Sequence, residues 1–85
     1  MLKTETVFDA CPVITPDFAA RLAQRASRFA AEVYLECGNT RLCVDSLIGI
    51  LAMDLRPGMR VVVRAEGADE RDAAASICAL LNSGD

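Results

Sequence analysis

The sequence predicts an α+β fold: an open-faced βαββαβα sandwich, a four-stranded antiparallel sheet covered on one face by three helices. Three observations predict it. Short alternating or Val-rich apolar runs recur at Leu2–Asp9, Glu32–Cys37, Thr40–Val44 and Met59–Ala65. Segments with helix-start chemistry separate them, opening at Thr15-Pro16-Asp17, Ser46 and Asp69-Glu70. Gly38-Asn39 is a two-residue turn signal, which joins the two middle strands antiparallel. A chain of 85 residues is expected to form one domain, residues 1–85, with a modest core.

In the first strand Thr4, Thr6 and Phe8 alternate with Lys3, Glu5 and Asp9. Pro12 then places Ala10 to Ile14 in a loop. The first helix is expected from Pro16 to about Arg28. Thr15 fits its N-cap, Pro16 its first position, and Asp17 the positive helix end. Phe18, Leu22, Ala26 and Phe29 keep helical spacing and form the stripe to be buried. The Gly38-Asn39 turn sets a register in which Cys43 faces Tyr34 and Cys37 faces Thr40. These two thiols then lie on opposite faces of the sheet, which disfavours a disulfide or a metal site between them. Ser46 caps a short helix reaching about Met53, and Arg56-Pro57-Gly58 is a turn. Met59 to Ala65, rich in Val, is expected to be the most buried strand. The last helix carries Ala73, Ile77 and Leu80 or Leu81 inward, with Cys78 as a core residue.

The formal net charge of -3 argues against nucleic acid as a partner, because phosphates demand a basic face. No run resembles a signal peptide or reaches transmembrane length, so a cytoplasmic location without membrane contact is expected. The four cysteines are then expected to be reduced. No residue pattern calls for a metal or a cofactor.

Two blocks carry a more specific signal: Asp45-Ser46-Leu47-Ile48-Gly49-Ile50-Leu51-Ala52-Met53 and Glu66-Gly67-Ala68-Asp69-Glu70-Arg71-Asp72-Ala73. Their spacing, in a chain of this length, resembles the HPr family, the small phosphocarriers of the bacterial sugar phosphotransferase system. The resemblance implies the same sandwich fold. It also implies protein partners rather than enzymatic activity. The family's first helix usually opens Gly, apolar, His, any residue, Arg, Pro. Here the matching stretch is Val13-Ile14-Thr15-Pro16-Asp17-Phe18, and the 85 residues contain no histidine. Thr15 therefore stands where the phosphoryl-accepting histidine is expected. A threonine hydroxyl is a weak nucleophile without an activating base, and its phosphoester is too stable for onward transfer. Asp17 places a carboxylate where the family's arginine would hold phosphoryl oxygens. At about 4 Å such like charges repel by roughly 1–4 kcal/mol.

The chain in this respect resembles the regulatory, Crh-like members that lack the histidine and keep the serine. In those proteins a serine kinase/phosphorylase modifies the residue matching Ser46. The modified protein then serves as corepressor for a LacI-type transcription regulator. Read from the residues alone, Ser46 is an N-cap worth about 1 kcal/mol. With the resemblance it becomes the candidate switch, and Leu47, Ile48 and Leu51 the candidate partner-binding patch. At i, i+1 and i+4 these three cannot all point inward. A competing reading makes the chain a phosphocarrier with a substituted acceptor, Cys11 or Thr15, working with sugar-system components. Cys11 lies near a helix N-terminus able to favour a thiolate, although a small residue beside Pro12 is also ordinary loop packing. A third reading is a drifted paralogue that keeps only the fold.

Overall fold

The computed structural model describes residues 2–84; residues 1 and 85, the ends of the expected domain, lie outside them. The elements run β1 (Leu2–Val7), α1 (Pro16–Ala26), β2 (Glu32–Cys37), β3 (Thr40–Cys43), α2 (Leu47–Ala52), β4 (Arg60–Glu66) and α3 (Glu70–Ser83). The four strands form one antiparallel sheet in the order β1-β4-β2-β3. This is the expected open-faced sandwich.

Strand alternation makes the sheet one-sided. Val33 and Leu35 of β2, with Val61, Val63 and Ala65 of β4, point into one buried cluster. Phe18, Ala19 and Leu22 of α1, Ile50 of α2, and Ala73, Ala74, Ile77, Leu80 and Leu81 of α3 meet them there. The other face carries Lys3, Glu5, Arg60, Arg64, Tyr34 and Glu36. On it the Arg64 guanidinium holds Glu36 at 2.8 Å, which keeps that carboxyl below the usual carboxylate range. β4 lies between β1 and β2, and its Val61, Val63 and Ala65 are fully buried, as expected of the Val-rich run.

Boundaries depart from expectation by a residue or two, for local reasons. β1 ends at Val7 rather than Asp9, because the Asp9 amide leaves the sheet to donate to Leu81 of α3 at 3.0 Å. α1 stops at Ala26 rather than near Arg28. There the Ser27 hydroxyl donates to the Gln24 carbonyl at 2.7 Å, competing with the helix ladder. Phe29, expected on the helix stripe, packs against the core from the following loop. The hairpin register is as the turn predicted: Tyr34 opposite Cys43 and Cys37 opposite Thr40.

Three further links set the helices. The Phe8 and Phe18 rings meet edge-to-face at 5.6 Å, tying α1 to the end of β1. Arg21 donates to the Gly84 carbonyl, just past α3, and Arg25 to Ser76 in the middle of α3, joining the two helices.

Candidate functional site

Both hydroxyl residues singled out by the sequence cap helices. Thr15 is extended, and its Oγ1 accepts from the Phe18 amide at 3.2 Å. Ser46 is also extended, and its Oγ accepts from the Gly49 amide at 3.3 Å. Each hydroxyl thus satisfies one of the unpaired N–H groups that open a helix. Both residues are exposed, so both keep a free oxygen edge toward solvent.

Gly49 matters to Ser46 in a way that spacing alone did not show. A Cβ at Gly49 would stand 2.9 Å from Ser46 Oγ and 3.0 Å from the Leu42 side chain. Contact that close would push the serine out of its capping position. Glycine here leaves the hydroxyl uncovered and lets α2 sit down on β3 through Leu42.

The structure divides the Leu47, Ile48 and Leu51 patch. Ile48 is 83% exposed and Leu47 44%. Leu51 is half-buried and packs against the core beside the fully buried Ile50. Leu47 and Ile48 therefore form the outward surface, and Leu51 its foundation. Two adjacent large aliphatic residues held in water immediately after Ser46 make an apolar patch of the kind that marks contact surfaces.

The remaining candidates are placed differently. Cys11 is half-buried in the β1–α1 loop and packs against the core. Asp17 is exposed in the first turn of α1. Cys37 packs against the core from the helix-covered face, and Cys43 lies on Tyr34's face. Burial raises the Cys43 thiol, as does its hydrogen bond with Asp45. Burial also raises Cys78, on α3. All four thiols are free.

One residue was missed as a structural device. Asp69 was expected to begin the last helix, and it is the N-cap position of α3, yet it makes no side-chain cap bond there. Its carboxylate instead reaches across to accept from the Ala30 amide at 2.9 Å and the Ala31 amide at 2.8 Å. Those two donors hold its carboxyl below the usual carboxylate range. Gly67 makes room for this clasp, lying so close to Ala31 that any side chain would collide with it.

Comparison with known proteins agrees with this fold. Residues 17–83 match the family described as PTS HPr component phosphorylation site. The HPr-like protein Crh of Bacillus subtilis (strain 168) is 31% identical over 63 residues, 74% of each chain. The crystal structure of HPr-C-His from Thermoanaerobacter tengcongensis superposes with a TM-score of 0.85 at 26% identity, over 95% of this chain and 91% of that one. The crystal structure of the Bacillus subtilis catabolite repression containing protein Crh, a domain-swapped dimer, gives a TM-score of 0.75 at 25% identity, over 95% and 93%. The chain belongs to the HPr family of the phosphotransferase system, and its relatives include Crh proteins. Among the described residues no helix is long and apolar enough to cross a membrane.

Proposed function

We propose that this chain is a cytoplasmic, protein-binding regulatory module of a bacterial carbohydrate-utilisation circuit, neither an enzyme nor a phosphohistidine carrier. Ser46 is its switch and α2 its docking surface. The observation that carries the reading is the exposed Leu47–Ile48 pair directly following a solvent-facing Ser46 hydroxyl. Its likeness to Crh, a catabolite repression protein in Bacillus subtilis, supports the same role.

The mechanism is local. A phosphoryl group on Ser46 would add about two negative charges at the foot of the patch. A partner that reads both the phosphate and Leu47–Ile48 then binds the modified form more tightly. The partners that fit are a serine kinase/phosphorylase, which writes the mark, and a LacI-type transcription regulator or sugar-system component, which reads it. Leu51, beneath the patch, fixes its shape. Thr15 and Cys11 have no part in this switch: Thr15 caps α1 and Cys11 packs in its loop.

Treatment with the family's serine kinase and ATP is expected to add one phosphoryl group at Ser46, located by mass spectrometry and absent from Ser46→Ala. Asp45→Lys is expected to speed the modification by removing a neighbouring like charge. An unmodified Ser46, in a tube where ordinary HPr is modified, would favour a drifted paralogue instead.

A further inference from the structure

The end of α1 does not close against the β2–β3 edge. Its residues there are small, Ala23, Ala26 and Ser27, and a hollow of about 290 Å³ opens beside them. Val33 and Val44, both buried, lie at its floor, and its walls are polar and apolar in nearly equal measure. Two exposed carboxylates, Glu32 and Asp45, stand at its rim. The Tyr34 hydroxyl donates to Glu32 at 2.7 Å. The described ion pairs, Arg56–Asp54, Arg60–Glu5 and Arg64–Glu36, use neither rim carboxylate.

A hollow with a mixed lining and two carboxylates at its mouth fits a cation on an aliphatic stem. The methylenes gain by leaving water, while the charged end stays at the wet rim. Among the described residues no group of three metal-ligating side chains exists, so an organic cation fits better than a metal ion. Asp45 immediately precedes Ser46, Leu47 and Ile48 in the chain, so the groove's rim ends one residue before the segment that carries the apolar patch. We propose that the protein docking on Leu47 and Ile48 carries a lysine or arginine side chain that enters this groove to meet Glu32 and Asp45. The partner's identity rests on the docking role of α2; the cation preference of the groove does not.

Arginine amide, titrated into the labelled protein and followed by backbone amide NMR, tests the groove directly. Saturable shifts are expected around Ala26–Tyr34 and Cys43–Asp45, with no matching response to citrulline amide, which keeps the shape and the α-ammonium but lacks the guanidinium charge. Glu32→Gln with Asp45→Asn, both at exposed positions, is expected to weaken arginine amide about fivefold or more, the scale of partly exposed charge pairs. No saturable shift, an equal response to citrulline amide, or unchanged affinity in that double variant would overturn the groove. Leu47→Ser with Ile48→Ser is expected to leave arginine amide binding intact while abolishing regulator binding. Regulator binding that survived this second pair would overturn the docking role alone.

Discussion

Gly67→Ala is expected to cost about 3 kcal/mol or more, the sum of a strained backbone and an overpacked contact. Gly67 has φ +154°, where L side chains are uncommon. A Cβ there would lie 2.6 Å from Ala31 Cα and 3.0 Å from Ala31 Cβ. The first of those atoms is backbone, and Ala31 is buried at the entry to β2, so neither side can yield cheaply. A chain of this size has a total stability on the order of 4–13 kcal/mol. The substitution should therefore lower Tm by roughly 10–20 °C. Urea or thermal unfolding measures it. A loss below about 1 kcal/mol, within the ordinary range for point substitutions, would show that the Ala30–Ala31 segment moves aside freely.

Asp69→Ala is expected to lower the urea midpoint markedly, because the Ala30 and Ala31 amides lose their shared acceptor. The partly buried Ala31 amide suffers most. Asp69→Asn gives the electrostatic part. In the folded protein the Asp69 carboxyl is held low, by the Ala30 amide first and the Ala31 amide also. Its contribution is complete above the unfolded-chain value, near pH 4, and is lost as pH falls through the folded-state value. Wild-type stability should thus decline on acidification below about pH 4, and less steeply in Asp69→Asn. Glu36, held low by Arg64, supplies a remaining slope in both. Parallel stability–pH curves for the two proteins would contradict the clasp.

The fold was legible because its determinants are local. The Gly38-Asn39 turn leaves only one close pairing for its flanking strands, and Tyr34–Cys43 and Cys37–Thr40 follow from it. Thr15 and Ser46 cap as their sequence positions imply, through bonds three residues long. The Asp69 clasp was not legible, because its partners lie 38 and 39 residues away. No local pattern tells a carboxylate that caps its own helix from one that reaches another loop. The groove escaped for the same reason. It arises where small side chains of α1 meet the ends of β2 and β3, and none of those residues is unusual alone. The patch was half legible: spacing required that Leu47, Ile48 and Leu51 diverge, but only packing shows that Leu51 turns inward.

A chain of the HPr family that is proposed to dock and switch without relaying phosphohistidine should ignore the phosphotransferase system's own donor. Incubated with the system's first enzyme and labelled phosphoenolpyruvate, the protein should take up no label, since its 85 residues contain no histidine. The Thr15 hydroxyl serves as the cap of α1. Asp17 places a carboxylate in the first turn of the same helix, where it would oppose an incoming phosphoryl group. Ordinary HPr in a parallel tube should be labelled within the same time. Rapid, acid-labile labelling of this chain would overturn the proposed switch and favour a phosphocarrier with a substituted acceptor.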